Sequence, residues 1–390
     1  MNEGRFVFSQ VVDFVPRVQF DRFVEQFRGD YRAHELTTYN QFLHLLFGQL
    51  TACVSLRDIC LCLEAHKTSL WHLGFRNTVD SSSLSRANEK RDYRIYESLG
   101  YYLIDHVRPM YRHIKIENVT ADNAIFALDS TTISVSLKLC EWALGKYSRG
   151  GVKMHTLLDL QGSIPSQVLI TDSRWHDSNM LQELCIQPNA IYTADKAYVD
   201  LAQMFRINNK GAYFVMRPKD NMQFEVIREL DNNECGSTIR ADYIVRLRTH
   251  KSKHLYPDEL RIVKAIDPES GELISFITNN MELSATDIAN IYRHRWDIEL
   301  FFKWIKQNIV IKHLWGYSEN SVKTHLWVAI CTYLLVANIK AEYKSSYTIT
   351  EVATLLSVSV LERTYIKDLL TKPCDKQPSN LILKDQLFLF

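Results

Sequence analysis

At Asn123 the hydrophobic pattern of this chain changes period, and that change constrains the fold more than any other feature. "NAIFALDSTTISVSL" alternates apolar and polar residues and is rich in β-branched side chains, as a strand should be. "GGVKMHTLLDLQGSIPSQVLITDS" follows, with two strand-like runs around the turn signal Gln161-Gly162-Ser163. A helical "DSNMLQELC", a strand "AIYTADKAY", a helix near "DLAQMFRINNKG" and a strand "AYFVMRP" continue the run. Three successive strands followed by alternating helix and strand predict an α/β sheet.

The flanks differ from this core. Residues 1–118 read as helices, from "QFDRFVEQFR" through "TYNQFLHLLFGQLTACVSLRDICLCLEAH" to "SLSRANEKRDYRIYESLGYYLIDHV". Residues 217–280 hold four short strand-like runs, "QFEVIREL", "TIRADYIVRLR", "ELRIVKAIDP" and "ELISFITNN", which predict a β-rich insertion. The expected organisation is a helical domain over 1–118, an α/β domain over 119–340 and a helical region over 341–390. The element order is that of a ribonuclease H-like core, although order alone leaves other α/β folds open.

With a formal net charge of +1 the chain is not an unstructured polycation, but a local basic face remains possible. The eight cysteines contain no CxxC pair; Cys60, Cys62 and His66 lie in an apolar-patterned stretch and read as packing residues rather than zinc ligands. The start, "MNEGRFVFSQVVDFV", lacks a basic signal-peptide region, and "LWVAICTYLLVANI" from Leu326 to Ile339 is short for a bilayer span and reads as a buried helix. A cytoplasmic protein with no membrane partner is expected.

Two aspartates fall at comparable places: Asp129 where "AIFAL" ends, and Asp195 where "AIYTA" ends. Functional groups collect at strand ends in open α/β sheets, and if the two strands are adjacent the acids face each other. Close carboxylates need a cation between them, and oxygen ligands suit a hard ion such as Mg²⁺ or Mn²⁺. A third acid lies in "YRHRWDIELFFKWIKQN", read as one helix beginning at Ser284 and Asp287. At about 100° per residue Tyr292, Arg295, Glu299 and Lys306 share one polar stripe with Lys303 beside them. Ile291, Trp296, Ile298, Leu300, Phe301, Phe302, Trp304 and Ile305 fill the rest, so the helix is expected to be buried on most sides. Ion pairs between Arg295, Glu299 and Lys303 are the plainer reading of that stripe.

The pattern Tyr292-x2-Arg295-x3-Glu299-x6-Lys306 resembles the Y-(2)-R-(3)-E-(6)-K signature of the IS4 family of bacterial insertion-sequence transposases. "ALDSTT" around Asp129 and "TADKAYVD" around Asp195 are similar to the family's other two blocks, with Ala197 where many members have Gly. "GGVKMH" and "LSRANEKRDYRIYE" also resemble family segments. The resemblance implies a ribonuclease H-like domain with a β insertion, and an Asp-Asp-Glu triad of Asp129, Asp195 and Glu299 holding two Mg²⁺ or Mn²⁺ ions. It implies that Tyr292, Arg295 and Lys306 contact phosphates of the element's ends. The partners implied are double-stranded DNA, both terminal inverted repeats and target, and a second copy of the chain on that DNA. The enzyme would work in the bacterial cytoplasm, at the nucleoid when bound. Another ribonuclease H-like nuclease and an inactive DNA-binding relic are the competing readings.

Several residues outside the signature carry expectations. Arg86, Lys90 and Arg94, spaced i, i+4 and i+8 on one expected helix, form a basic edge suited to DNA, or else a solvated face paired with Glu89 and Glu97. All seven tryptophans lie outside 217–280, so a base-stacking role in the insertion would fall to Tyr243 or Tyr256. His155 reads as a strand residue with a structural hydrogen bond, and His176-Asp177 as a helix cap.

Overall fold

The computed structural model of the protein describes residues 4–135, 142–143, 150–230, 238–308 and 314–371. The strand signals become β1 (Ile125–Val135), β2 (Gly150–Asp159), β3 (Ile164–Asp172), β4 (Ile191–Ala194) and β5 (Tyr213–Met216). The insertion contributes β6 (Phe224–Glu229), β7 (Ile239–Leu247), β8 (Leu260–Ile266) and β9 (Leu273–Thr278). All nine join one mixed sheet in the order β3-β2-β1-β4-β5-β9-β8-β7-β6. β1, β4 and β5 run parallel, β2 is antiparallel to β1 and β3, and β5 pairs antiparallel with β9. The insertion therefore extends the core sheet through a backbone ladder.

The tight return from β2 to β3 uses the expected turn: Gly162 has φ 121° and Ser163 φ 57°. "DSNMLQELC" is less helical than its pattern suggests, a 3₁₀ turn Asp177–Asn179 and a single turn Met180–Glu183. The expected capping box at Ser284 is half formed. Ser284 accepts from Asp287 N, but the Asp287 carboxylate accepts from Thr120 N at 2.8 Å and Thr120 Oγ1 at 2.6 Å, tying this helix to the chain that leads into β1.

Strand alternation divides the core between two faces. Ile125, Ala127 and Ile133 join one apolar cluster, while Phe126 and Leu128 join another with Met180, Tyr192, Met204 and Phe214. The first cluster runs without interruption into the N-terminal helices, through Phe42, Phe47, Tyr96 and Leu103. At its centre lies the helix Glu319–Glu342, buried from Ser321 to Ile339 with the exception of Lys323, so Leu326–Ile339 is the buried helix expected. Tyr111 OH donates to Ala337 O at 2.8 Å and Tyr333 OH to Ser163 O at 2.7 Å, pinning this helix to the N-terminal helices and to the sheet. Beyond residue 340 the helices Ile349–Ser359 and Ile366–Leu369 agree with the helical expectation, and 372–390 lie outside the described residues.

The helix Glu319–Glu342 approaches the helix Arg94–Tyr111 closely at Gly100. A Cβ there would stand 2.7 Å from Trp327 Cε3 and 2.8 Å from Cζ3. Trp327 is fully buried and has nowhere to move. Gly100→Val is expected to destabilise the protein by at least about 1–3 kcal/mol through overpacking, read as a lower urea midpoint. An unchanged midpoint would mean that the two helices separate freely.

Candidate active site

β1 and β4 are in parallel register from Ile125 with Ile191 to Leu128 with Ala194. The next residue on each strand is an aspartate, so Asp129 and Asp195 emerge side by side from neighbouring strands about 4.8 Å apart. Asp129 is not at a strand end, as its sequence suggested. β1 continues to Val135 because β2 pairs with it throughout, and Asp129 marks the point where only the pairing with β4 stops. Each carboxylate accepts the following amide: Ser130 N to Asp129 Oδ1 at 2.8 Å and Lys196 N to Asp195 Oδ1 at 2.7 Å.

Glu299 comes from the helix Asp297–Asn308, which packs on β1. The single helix expected from Ser284 to Asn308 is two, Ala285–His294 and Asp297–Asn308. Between them the amides of Arg295, Trp296, Ile298 and Glu299 donate to carbonyls three residues back, at 2.9–3.2 Å. That tighter winding changes the phase of the helix faces. Trp296 and Leu300, expected to be buried, are 56% and 51% exposed, whereas Ile291, Ile298, Phe301, Phe302, Trp304 and Ile305 are buried as expected.

The stripe survives the break in its first three members. Arg295 donates from Nη1 and Nη2 to Glu299 Oε1, each at 3.1 Å, the ion pair of the plainer reading. Its Cζ is 5.5 Å from the centre of the Tyr292 ring, which packs against Phe276. Arg295 Nε is buried with no hydrogen-bond partner. Lys303 is exposed, and Lys306 is half-buried about two turns beyond Glu299.

Burial pushes the Asp129 carboxyl up to about 6, with Glu299 and Asp177 adding repulsion and Ser130 N and Arg295 opposing it. Burial works against the Arg295 guanidinium, but Tyr292, Glu299 and Asp129 outweigh it and raise its pKa. Arg295 is thus the cation that stands against two acids at once.

Sequence reasoning missed two parts of the site. Arg217, Arg293 and Trp296 join Asp195, Tyr292 and Arg295 around a cavity of about 610 Å³, where β5 leaves the core. Asp177 does not cap a helix with its side chain; it accepts from Ser130 Oγ at 2.8 Å and Lys153 Nζ at 3.0 Å, with His155 Nδ1 at 3.6 Å. Only tertiary pairing brings these residues together, and no local pattern marks them. His155 makes its expected structural contact, Nε2 to Thr171 Oγ1 at 3.0 Å. In the insertion Tyr256 is 1% exposed and cannot stack on a base, while Tyr243 is half-buried with Lys264 Nζ 5.9 Å from its ring centre.

The basic edge also departs from expectation. Arg86 and Lys90 lie on the helix Ser81–Lys90, but Arg94 begins the next helix. Arg94 is held by Asp92 at 2.5 Å, not by Glu97, and stacks 4.9 Å from the Phe27 ring centre.

Three carboxylates give the oxygen-only donor set a hard divalent ion prefers. Among the described residues no group of three or more His, Cys, Asp or Glu is gathered closely enough to hold a metal ion. The donor chemistry fits, while Glu299 is held by Arg295.

Paired strand acids with a helix-borne glutamate are the kind of donor set that two-metal phosphodiester chemistry uses. The family model described as the transposase DDE domain matches residues 120–335. The chain belongs to that family, and the IS4-type resemblance read from its sequence is borne out by its relatives. A second model, a domain of unknown function, matches residues 3–76. A protein of Sinorhizobium fredii named as a transposase is 35% identical over 54% of this chain and 59% of its own length. One from Geobacillus stearothermophilus, named for insertion sequence element IS5377, is 29% identical over 54% of this chain and 55% of its own length. One from Synechocystis, named for element IS4SA, is 28% identical over 71% of this chain and 78% of its own. The chain thus spans under two thirds of the first two relatives. A cryo-EM structure of a piggyBac transposase synaptic complex with hairpin DNA covers 95% of this chain and 81% of its own at a TM-score of 0.43 and 12% identity, too distant to carry an argument.

The raised Asp129 pKa has a sign that can be measured. Between its ordinary value of 3.8 and about 6 the folded state binds more protons than the unfolded state, so this group's contribution to stability falls as pH rises through that window. Asp129→Asn removes the ionisation. In metal-free buffer the variant should match wild type below about pH 4 and exceed it by about 3 kcal/mol above about pH 7, read by urea unfolding. A difference independent of pH would show that the Asp129 carboxylate is well solvated.

Proposed function

We propose that the protein is the DNA transposase of an insertion sequence, which binds the terminal inverted repeats, cleaves the ends by metal-dependent phosphodiester hydrolysis and joins the 3′ ends to target DNA. The observation that supports this most is the β1–β4 register, which sets Asp129 beside Asp195 with Glu299 on the helix packed over β1. We read β1 to β5 as a ribonuclease H-like core on the strength of their order and of β2 being the antiparallel member. Residues 1–118 would position DNA, 119–340 would carry the chemistry, and the helical region 341–390 would brace both.

In this reading Asp129, Asp195 and Glu299 would hold two Mg²⁺ or Mn²⁺ ions. Bound divalent ions supply an activated water and neutralise charge on the leaving 3′ oxygen. The chain's own residues provide the rest. Arg295 suits a phosphate because its fork can bind two oxygens and its buried Nε lacks a partner; engaging DNA would draw it from Glu299 and free that carboxylate. Tyr292, held by Phe276, can donate to a phosphate at a fixed place, and Lys306 adds a point charge farther along the helix. Arg86 and Lys90 would contact the repeat; Arg94, engaged by Asp92, would do so only by exchanging that partner. Two copies would act together on paired ends.

Asp129→Ala, Asp195→Ala and Glu299→Ala should each lose nicking of a terminal-repeat duplex while still binding it. Retained nicking by any one removes that residue from the triad. Arg295→Ala and Lys306→Ala should weaken duplex binding and reduce the slope of log K against log salt by up to about one unit each. An unchanged slope for Arg295→Ala would leave it with the Glu299 ion pair alone.

A further inference from the structure

The loop 27–36, "FRGDYRAHEL", and the helix Ser81–Lys90 form the two walls of a groove of about 530 Å³ whose lining shares no residue with the carboxylate site. Arg28 and Arg32 line it from the loop, Arg86 and Lys90 from the helix, and all four are exposed. The one carboxylate in the lining, Asp92, is engaged by Arg94 outside it, and Asp30, on the loop but not in the lining, lies 4.0 Å from Arg91. Among the described residues none of the four cations has an ion-pair partner of its own. Four like charges around one hollow repel each other, an arrangement that favours a polyanion in the hollow.

The loop is built to hold its arginines in place. Arg28 has φ 52° and Arg32 φ 58°, left-handed conformations that cost a non-glycine residue about 1–2 kcal/mol and persist only where neighbours impose them. Arg91, half-buried under the loop, donates from Nε to Gly29 O at 3.1 Å, from Nη1 to Gln41 Oε1 at 2.8 Å and from Nη2 to Leu36 O. Asp30 Oδ1 accepts from Thr38 N at 2.5 Å and Thr38 Oγ1 at 2.7 Å. Gly29 lies so close to Ile95 and Thr38 that a Cβ would stand 2.7 Å from each. A loop clamped at both ends, with strained arginines facing out, is preorganised for a ligand.

We propose that this groove seats the sugar-phosphate backbone of duplex DNA, with Arg28 and Arg32 gripping it from one wall and Arg86 and Lys90 from the other. The inference rests on the reading of the protein as one that acts on DNA. It adds a second wall that the helical pattern does not show, and it leaves out Arg94, which is not in the lining. Guanidinium forks bind phosphate oxygens in pairs, and cations on two walls suit a row of phosphates rather than a single anion. Tyr31, 67% exposed at the rim, can donate to the same backbone. Contacts of this kind set position and affinity, not sequence.

The test uses the full chain without metal and a fluorescein-labelled random duplex of about 30 bp, with anisotropy read from about 50 to 300 mM salt. The loop variant is R28G/R32G, since glycine adopts left-handed φ without strain and so leaves the turn intact. The helix variant is R86Q/K90Q, and R57Q, exposed on the helix Leu56–Ala65, is the control. Each double variant should reduce the salt slope by about 1.5–2 and the combination of four by about 3–4, with R57Q unchanged. Binding by wild type with the same slope in both double variants overturns the groove and leaves the DNA reading standing. A loss in one double variant alone overturns the two-walled clamp. Equal binding of single-stranded DNA, with the same losses, overturns the duplex as occupant. Failure of wild type to bind at the lowest salt overturns the DNA reading and the groove with it.

Discussion

A carboxylate drawn half out of water beside two others is unfavourable unless a cation stands against it, and the surroundings of Asp129 follow from that requirement. Arg295 meets it on one side, poised between Asp129 and Glu299 with the Tyr292 ring beneath. Asp177, the further acid in reach of Asp129, is answered by Lys153 and by the Ser130 hydroxyl. Each counter-charge comes from a different element, so the acids can be this close only when β1, β2 and the 285–308 helix pair are all in place.

The rest of the fold keeps those elements in place. Asp129 and Asp195 are set by a backbone ladder, which fixes register more firmly than side-chain packing does. The insertion continues the same sheet from β5 into β9, and so it projects Arg217 toward the cavity beside Asp195. Arg261 anchors this half from within. Its side chain pairs with Asp242 at 2.6 Å and donates to Leu283 O at 2.6 Å, immediately before the helix that delivers Tyr292. The buried helix Glu319–Glu342 links the sheet to the N-terminal helices, with Trp327 packed close against Gly100.

A net charge of +1 conceals an uneven distribution. The groove between loop 27–36 and the helix Ser81–Lys90 gathers cations, while the acids lie where the pairing of β1 with β4 stops. Such a division suits a protein that holds a polyanion at one place and reacts with it at another, since affinity from many phosphate contacts need not burden the reacting centre with strong ground-state binding.

What the sequence determined by itself is local. Alternation from Asn123 gave away β1, and with it the place of Asp129; the same pattern before Asp195 gave β4, and the four short runs after 217 gave β6 to β9. The apolar run Leu326–Ile339 announced a buried helix because few other structures hide so many side chains. Pairing decided the remainder. The i→i−3 bonds at Arg295 to Glu299 broke a helix whose composition contains no breaker, and that turn exposed Trp296 and Leu300. Asp177 sits before a helical run like a cap, yet its partners Ser130 and Lys153 are on other strands. Arg28 and Arg32 carry no local signal of a site, because it is Arg91, some sixty positions on, that holds their loop beside the helix Ser81–Lys90. Periodicity records which side of a segment meets apolar surroundings; it carries no information about which distant segment supplies them, and a site of charges depends on that second fact because Coulomb interactions act between neighbours in space.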